Sequence, residues 1–377
     1  MLTEDQLGAP EPTFPLELVF CPDCSLVQIT EVVPPEILFR DYAYFSSFSQ
    51  TMLDHAALCA KKIKRMQGLD SSSLVVELAS NDGYLLKNYK NANIPVLGIE
   101  PAENIARVAQ DQDIRTICDF FGERLAEKLV AQNLNADVIH ANNVLAHVAD
   151  LNGFVSGVEK LLKATGIAVI EVPYLRDLID QTEFDTIYHE HLCYFSLTAL
   201  DALFRRHKLT IVDVERSSIH GGSLRIYAAK SGDPSRAVRD LLDEEQGWVK
   251  RLEYYQAFGE RVDSLRTHLT KLLENLKAED KRIAVYGASA KGSTLLNYFG
   301  FGGDLLDFVV DRSTVKQGRY TPGTHLQICD PEKLVTERPD YVLLLTWNFA
   351  EEILRQQSEY RQSGGRFIIP IPEVRVA

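Results

Sequence analysis

Four titratable side chains stand side by side in the segment Tyr188-His189-Glu190-His191. An imidazole titrates near neutral pH and is a natural base for removing a proton from a carbon next to a carbonyl group. A carboxylate beside the imidazole can fix its tautomer, and a phenol or a second imidazole can stabilise the enolate that develops. The segment therefore predicts base catalysis at carbon.

Two other interpretations of the segment stay open. Glu190 could be an ordinary acidic residue in the first turn of a helix. His189 and His191 could hold a metal ion, although no third ligand is evident nearby. His147, in LAHVADL, would be a structural histidine by itself, but it follows a predicted strand and would share a sheet rim with the segment.

A strand, a turn of small residues and a helix start follow one another at residues 75–86, VVELASNDGYLL. The segment resembles the cofactor loop of class I methyltransferases, in which small residues let the backbone approach S-adenosylmethionine (SAM). Glu77, Ala79, Asn81 and Gly83 occupy the places of the acidic residue and the three glycines. Two glycines are thus replaced, and a Cβ at Ala79 costs little if that residue keeps a negative φ. A tight turn without function is the alternative.

Acidic side chains end the next two predicted strands. Glu100 lies about 20 residues after the glycine turn, where a carboxylate can accept both hydroxyls of a ribose. Asp119 is followed by Phe120 and Phe121, and an acidic and an aromatic side chain together could hold adenine. A helix N-cap is the alternative for Asp119. Together these residues favour the cofactor interpretation of the turn.

A second strand, small-residue turn and helix occupy residues 282–300, RIAVYGASAKGSTLLNYFG. Backbone N–H groups and the Lys291 ammonium at a helix start suit a phosphate or another anion. Asp311 ends the following strand, at the distance expected of a ribose-binding acid. A dinucleotide site is therefore conceivable, and a packing turn between helix and strand is the alternative.

Cys21 and Cys24 form a CxxC pair, while the other four cysteines are scattered singly. A structural zinc ion normally takes four ligands, and the chain contains no second CxxC. We therefore expect zinc only if other residues or another chain complete the site.

The elements that must position these residues follow from the hydrophobic pattern. Short apolar runs alternate with amphipathic stretches from residue 74 to about 230, which predicts a mainly parallel sheet with helices on both faces. Apolar residues at steps of three and four between 238 and 276 predict a long helix or a helix pair. We expect an N-terminal module (1–60), a central α/β domain (61–235), a helical connector (236–280) and a second, Rossmann-like α/β domain (281–377).

The bulk composition narrows the class of protein. A chain of 377 residues is too long for a single hydrophobic core, so we expect more than one domain. A formal charge of −13 argues against nucleic acid as the main partner. No apolar run approaches the roughly 20 residues that span a bilayer, so we expect no membrane partner. The acidic, proline-containing start lacks the features of a signal peptide, which favours a cytoplasmic location.

Longer strings in consecutive order resemble the sugar C-methyltransferase family, which includes C-3 methyltransferases of deoxysugar biosynthesis. These strings are FCPDCSLVQITEVVPPEILF, DYAYFSS, ELASNDGYLL, GIEP, ANNVLAHVADL, EVPYL, EFDTIYHEHLCYFS, HGGSLRIY, YGASAKGSTLLNYFG, VVDRSTVKQGRYTPGT and LLLTWNFAEEI. The resemblance implies an N-terminal zinc module, a class I methyltransferase domain and a Rossmann-like C-terminal domain, with a nucleotide-linked sugar held between the last two. The first CxxC of that module is missing, as though the chain began late.

The resemblance also implies roles for single residues. His191 would take the proton from the sugar carbon beside the ketone, and the groups that orient the sugar or stabilise its enolate would be Tyr188, Glu190, His147 and Tyr42. SAM would contact Glu77, Ala79, Asn81, Glu100, Asn142 and Asn143. The sugar nucleotide would contact His189, Lys291, Asp311 and Trp347.

The sequence thus predicts SAM-dependent C-methylation of a nucleotide-linked keto-deoxysugar. The alternatives are an O- or N-methyltransferase of another small acceptor, an NAD(P)-linked oxidoreductase acting through the C-terminal domain, and a binding protein without catalytic activity.

Overall fold

A computed structural model describes residues 1–39 and 45–377. Tyr42, one of the residues expected at the sugar, lies outside the described residues. Within the described ranges, no helix is both long and apolar enough to cross a membrane.

The secondary structure alternates strands and helices over most of the chain. The strands are β1 Leu18–Phe20, β2 Val27–Ile29, β3 Val75–Leu78, β4 Val96–Ile99, β5 Thr116–Ile117, β6 Ala136–Asn142, β7 Leu162–Pro173, β8 Cys193–Tyr194, β9 Thr210–Ser217, β10 Ser223–Ala229, β11 Ile283–Tyr286, β12 Val309–Val310, β13 Ile328–Cys329, β14 Tyr341–Leu344, β15 Arg366–Ile369 and β16 Arg375–Val376. The α-helices are α1 Pro35–Phe39, α2 Gln50–Gln67, α3 Leu86–Lys90, α4 Glu103–Asp111, α5 Glu123–Ala131, α6 Leu151–Leu161, α7 Leu175–Asp180, α8 Leu197–Arg206, α9 Arg236–Glu245, α10 Leu252–Ala278, α11 Ala290–Phe299, α12 Lys333–Glu337, α13 Ala350–Gln356 and α14 Ser358–Gln362. Short 3-10 helices lie at Glu4–Gln6, Ser46–Phe48, Leu145–His147, Phe184–Thr186, Ile219–Gly221 and Trp347–Phe349.

The central domain is built on a seven-stranded sheet in the order β5-β4-β3-β6-β7-β10-β9. The first five strands are parallel, whereas β10 pairs antiparallel with both β7 and β9. Fully buried strands such as β3, which is aliphatic except for Glu77, form the middle of the sheet because helices cover both faces. The loops after β3, β4, β5, β6 and β7 therefore meet at one rim, where ligands of parallel sheets collect.

Helix α2 crosses residue 60, where we expected the first domain boundary. Its buried side, including Ala56, Cys59 and Ile63, packs in the core on one face of the central sheet. The Ser49 side chain caps its first turn by accepting a hydrogen bond from the Met52 N–H group, and Gly68 ends it with a left-handed φ of 60°. Residues 50–60 are thus part of the central domain core.

The N-terminal residues connect all parts of the molecule. Strands β1 and β2 form a small antiparallel sheet with β8 of the central region. Leu2 exchanges two backbone hydrogen bonds with Tyr320, and Glu11 accepts from the Gly323 N–H group at 2.9 Å. The N-terminal segment therefore lies against both the central and the C-terminal domains.

The C-terminal domain carries a second sheet in the order β13-β12-β11-β14-β15-β16, parallel except for β16. The predicted helical stretch before it is a helix pair, α9 and α10. Buried residues of α10, including Leu265, Leu269 and Leu273, pack into the core of this domain. The central and C-terminal sheets therefore have separate cores, and α10 joins them.

Candidate active site

The turn after β3 has left-handed backbone at alternate residues. Ala79, Asn81 and Gly83 have φ values of 51°, 50° and 79°. The condition under which a Cβ at Ala79 would cost little, a negative φ, is therefore not met: this position has the backbone conformation that glycine adopts most easily. The turn keeps the shape of a glycine-rich loop although two of its glycines are replaced.

The Glu100 carboxylate holds this turn in place. Its two oxygens accept hydrogen bonds of 2.9 Å from the N–H groups of Asn81 and Ala102. Burial raises the pKa of Glu100, and these two N–H groups act in the opposite direction. A carboxylate has about four lone-pair sites, so Glu100 retains capacity for the hydroxyls of a ribose.

The 3-10 helix Ser46–Phe48 covers the turn. The Ser46 N–H group donates to Asn81 Oδ1 at 2.9 Å, and the Ser47 N–H group donates to Asp82 Oδ2 at 3.3 Å. Asp82 is only 2% exposed, yet sequence reasoning missed its contribution. The order Asn81-Asp82 between two small-residue positions was the available signal, because short polar side chains often bind nearby backbone.

Buried polar atoms without partners surround the turn. In the described part of the chain, Glu77 Oε2, Asn142 Oδ1 and Asn143 Oδ1 have no hydrogen-bond partner. Burial, followed by repulsion from Asp82 and Glu100, raises the pKa of Glu77 well above its usual range. Buried polar groups are normally paired, so these acceptors fit the ammonium and hydroxyl groups of SAM.

Asp119 lies after β5, and its Oδ1 accepts from the N–H group of Phe120 at 2.9 Å. Helix α5 begins at Glu123 and has Gly122 as its N-cap, so the helix-cap interpretation of Asp119 is wrong. Asp119 lines a groove of about 540 Å³ that runs along α5 to Asp150. The residue stands at the rim where adenine was expected.

His191 is held from both sides of its ring. Its Nδ1 atom lies 2.9 Å from the Thr186 carbonyl oxygen, and its Nε2 atom lies 2.9 Å from Tyr188 Oη. A carbonyl oxygen can only accept, so Nδ1 carries a proton, and in the neutral ring Nε2 keeps the lone pair. His191 is 8% exposed. In its neutral form the ring thus points the Nε2 lone pair at the Tyr188 phenol.

His147 stands beside this pair. Its ring centroid lies 4.8 Å from that of His191 in an edge-to-face contact. Burial lowers the pKa of His147 to about 4, although main-chain groups of Glu190 and Asn143 favour the charged ring. The Leu192 N–H group donates to the Ala146 carbonyl at 2.7 Å, which ties the two loops together. Glu190, directly before His191, is half-buried.

His189 points away from His191. Its Nε2 atom lies 3.0 Å from the Pro15 carbonyl oxygen, and its ring packs against Phe14. No group of three or more potential metal ligands occurs in residues 1–39 and 45–377, so the structure gives the metal interpretation no support. No helix begins at Glu190, since the next one starts at Leu197, and the helix-start interpretation is wrong.

In the C-terminal domain, Asp311 repeats the role of Glu100. Its carboxylate accepts from the N–H groups of Ala288 and Ser313, both at 2.8 Å. Lys316 Nζ lies 3.6 Å from the same carboxylate and donates to the Ala288 carbonyl at 2.9 Å. Asp311 therefore holds its own loop as Glu100 does, and it additionally has the Lys316 ammonium beside it, so a dinucleotide ribose at this place stays a prediction.

Lys291, Trp347, Asp185 and Glu183 form a buried cluster between the central and C-terminal domains, here called the interdomain cluster. Trp347 Nε1 donates to Asp185 Oδ2 at 2.8 Å, and Lys291 Nζ lies 4.8 Å above the Trp347 ring. Burial raises the pKa of Glu183 to about 8 and that of Asp185 to about 6, with Lys291 acting against both shifts. Lys291 Nζ, Glu183 Oε1 and Asp185 Oδ1 have no hydrogen-bond partner in the described residues.

Comparison with known proteins identifies the family. Three family models match, described as "Putative zinc binding domain" at residues 1–39, "Methyltransferase domain" at 52–214 and "C-methyltransferase C-terminal domain" at 218–372. The C-methyltransferase NovU of Streptomyces niveus is 37% identical over 381 residues, covering 99% of this chain and 90% of NovU.

The chain belongs to the C-methyltransferase family. It is a SAM-dependent methyltransferase with a class I domain, as the domain match and the strand order agree.

Solved structures align with part of this C-methyltransferase. Magnesium protoporphyrin IX methyltransferase from Synechocystis PCC 6803, with bound SAM, matches at 15% identity over 48% of this chain and 79% of its own, with a TM-score of 0.36. A protein from Pyrococcus horikoshii OT3 matches at 15% identity over 53% of this chain and 100% of its own, with a TM-score of 0.42.

A second charged group of the C-methyltransferase was missed by sequence reasoning. Glu171 on β7 accepts from Arg225 Nε at 3.0 Å and lies 2.9 Å from His55 Nε2 on α2. The Glu171 side chain is 1% exposed and that of Arg225 10%. No short motif joins these residues, because α2, β7 and β10 bring them together only in the folded sheet. The group ties α2 to the rim beside Asn143, whose N–H group donates to the Glu171 carbonyl.

Cys21 and Cys24 form one tight turn between β1 and β2. The Ser25 N–H group donates to the Cys21 carbonyl at 2.9 Å, and backbone N–H groups, that of Cys24 foremost, lower the pKa of the Cys21 thiol. N–H groups directed at sulfur suit a metal thiolate. Two thiols do not complete a tetrahedral zinc site, and the described residues supply no third ligand. The residues present therefore do not fit a complete structural zinc site.

Proposed function

We propose that this C-methyltransferase transfers the methyl group of SAM to a carbon next to the ketone of a nucleotide-linked keto-deoxysugar. The observation that carries the proposal is the arrangement of His191, whose Nδ1 proton is held by a carbonyl and whose Nε2 lone pair faces Tyr188. Carbon acceptors need a proton removed before they become nucleophilic, and this pair lies at the same rim as the cofactor turn.

In the proposed step, His191 Nε2 takes the proton from the carbon beside the ketone. The electron pair of the broken C–H bond moves onto the ketone oxygen and forms an enolate. Once Nε2 is protonated, Tyr188 no longer donates to it, and its O–H group can turn to the enolate oxygen. SAM supplies an electrophilic methyl group, which the enolate carbon takes while S-adenosylhomocysteine leaves.

His147 has a supporting role in this proposal. Because its pKa lies near 4, it is neutral at the working pH and places no positive charge against the protonated His191. Glu190, which is half-buried and directly precedes His191, is proposed to orient the sugar, as is Tyr42.

The cofactor is proposed to bind across the turn after β3. Glu100 would accept the ribose hydroxyls, Asp119 would stand beside adenine, and the remaining contacts to the methionine part would come from Glu77, Ala79, Asn81, Gly83, Asn142 and Asn143. The left-handed backbone of the turn and the unpaired buried acceptors support this assignment.

Of the expected sugar-nucleotide contacts, Lys291 has the strongest support. Its ammonium is buried and has no hydrogen-bond partner within the described ranges, whereas the corresponding polar atoms of His189, Asp311 and Trp347 already have partners. We keep the latter three as proposed contacts of lesser weight, because their polar groups face the protein's own residues.

The test separates proton removal from methyl transfer. With a keto-sugar nucleotide in D₂O and S-adenosylhomocysteine in place of SAM, the native enzyme should exchange hydrogen at the acceptor carbon. His191→Asn should lower both this exchange and kcat by at least about 100-fold, the range of general-base effects. His207→Asn is the control, since His207 contacts Asn152 on the exposed surface. Native turnover in His191→Asn would refute the base assignment, and methylation without any exchange would favour an oxygen or nitrogen acceptor.

A further inference from the structure

The C-terminal domain contacts the chain segment immediately before His191. Phe184 stacks on Phe299 of α11 with ring centroids 4.8 Å apart. Thr294 of α11 donates its hydroxyl hydrogen bond to the Ile187 carbonyl at 3.2 Å. Between these two points, Trp347 Nε1 donates to the Asp185 carboxylate at 2.8 Å. Three side chains of one domain therefore fix a four-residue stretch of the other.

That stretch also contains the group that sets the His191 tautomer. Thr186 follows Asp185 directly, and its carbonyl accepts the proton on His191 Nδ1 at 2.9 Å. A shift of Phe184–Thr186 would move this carbonyl and leave Nδ1 without its acceptor. Residues that orient an imidazole through its second nitrogen control which nitrogen can act as a base.

We propose that Trp347 is a positioning residue, which holds His191 in its Nδ1–H tautomer through Asp185 and the Thr186 carbonyl. The proposal rests on the proposed function only for its catalytic consequence, since the tautomer itself can be observed without turnover. It gives the C-terminal domain a part in the chemistry of the central domain, beyond holding a substrate.

The hydrogen bond between Trp347 and Asp185 is shielded from water. Asp185 is fully buried and Trp347 is 7% exposed, so water cannot replace the indole N–H group if it is removed. Loss of the donor would leave the Asp185 carboxylate with one hydrogen bond fewer in a buried position. Relaxation of the 3-10 helix Phe184–Thr186 is the expected response.

The experiment uses the chain's two tryptophans as a matched pair. Trp347→Phe keeps an aromatic ring beneath Lys291 and removes only the donor. Trp248→Phe is the control, because Trp248 is also 7% exposed but its Nε1 atom has no hydrogen-bond partner in the described residues. Asp185→Asn in the presence of Trp347 keeps an oxygen that can accept from the indole, so it should keep most of the native Nδ1–H tautomer. Thr294→Val probes the same stretch if Trp347→Phe folds poorly.

The readouts are ¹⁵N NMR of labelled histidine side chains, with His191 signals assigned by comparison with His191→Asn, and steady-state kinetics. In Trp347→Phe we expect a mixture of tautomers at His191 and a fall in kcat of about 10-fold, as for small displacements of catalytic groups, with KM for SAM unchanged. Trp248→Phe should match the native enzyme. An unchanged Nδ1–H tautomer in a folded Trp347→Phe variant overturns the proposal, and if that variant folds poorly, an unchanged tautomer in Thr294→Val does so. A shifted tautomer with native exchange at the acceptor carbon supports positioning by Trp347 and refutes His191 as the base.

Discussion

Ala79, in the turn after β3, adopts a backbone conformation that disfavours alanine. It has a φ of 51°, and a left-handed residue with a Cβ costs roughly 1–2 kcal/mol compared with its right-handed form. Asn81 donates its N–H group to Glu100 and accepts from the Ser46 N–H group, and these hydrogen bonds keep the turn in this shape. The turn is therefore specified by its surroundings as much as by its own residues.

Replacing Ala79 by glycine should stabilise the protein without cofactor. We expect the free energy of unfolding to rise by about 0.5–1 kcal/mol, because relief of the left-handed strain exceeds the extra chain entropy of glycine. Urea unfolding measures the change.

Ala141→Gly is the control for this substitution. Ala141 lies buried in β6 and has no positive φ, so the same change should destabilise. A destabilised Ala79→Gly would contradict the strain argument.

Part of the arrangement of the candidate site was predictable at this scale. The spacing of Tyr188 and His191 indicated that they lie close together, and Tyr188 Oη is 2.9 Å from His191 Nε2, while their part in base chemistry stays a prediction. The acceptor of the His191 Nδ1 proton was not predictable, because it is the backbone carbonyl of Thr186 and backbone groups look alike in every sequence. The contribution of Asp185 depends on Trp347, which lies 162 positions away along the chain.

At the scale of elements, a group of charged side chains links α2 to the central sheet. His55 on this helix meets the buried Glu171 carboxylate, which also binds Arg225. A buried ion pair contributes little compared with apolar packing, but removing one partner leaves the other charge without compensation.

Glu171→Gln should therefore lower the free energy of unfolding by about 3 kcal/mol, since Arg225 stays buried and, among the acidic residues that the structure describes, keeps the more distant Glu215. The measurement is chemical denaturation at neutral pH.

Asp240→Asn provides the comparison. It makes the same carboxylate-to-amide change in a pair with Arg236 whose side chains are mostly exposed, and should cost less than about 1 kcal/mol. Equal losses in the two variants would show that burial of Glu171 is not the cause.

The strands were more predictable than the boundary at residue 60. Buried runs such as Ile283–Tyr286, and Val75–Leu78 apart from Glu77, are apolar, so the pattern shows them directly. Helix α2 buries mainly small residues such as Ala56, Cys59 and Ala60, whose weak hydrophobic signal hides the face that packs on the sheet.

For the whole molecule, the junction between domains makes stability depend on pH. The Glu183 carboxylate is 2% exposed, and a Cβ at Gly221 would overlap it. Its pKa of about 8 lies above the unfolded value near 4.5, so between these pH values the native state binds a proton that the unfolded state has lost. This contribution to stability is complete below pH 4.5 and is lost as the pH rises through 8.

Glu183→Gln should remove this dependence. Between pH 6.5 and 8 the native protein should lose up to about 1.4 kcal/mol per pH unit from this group, and the variant should not. Apparent melting temperatures across this range, compared as native minus variant, measure the difference. A constant difference would mean that Glu183 is already ionised in the native state.

The contacts around Phe184–Ile187 also set a rule for engineering. Chimeras that exchange C-terminal domains between relatives are an obvious way to change the acceptor, and the long helix α10 offers a convenient crossover. Such a crossover would combine Phe299, Thr294 and Trp347 from one parent with residues 183–191 from the other. Recombinants should therefore inherit residues 183–191 and 281–377 from the same parent, although more than 80 residues of chain separate the two pieces.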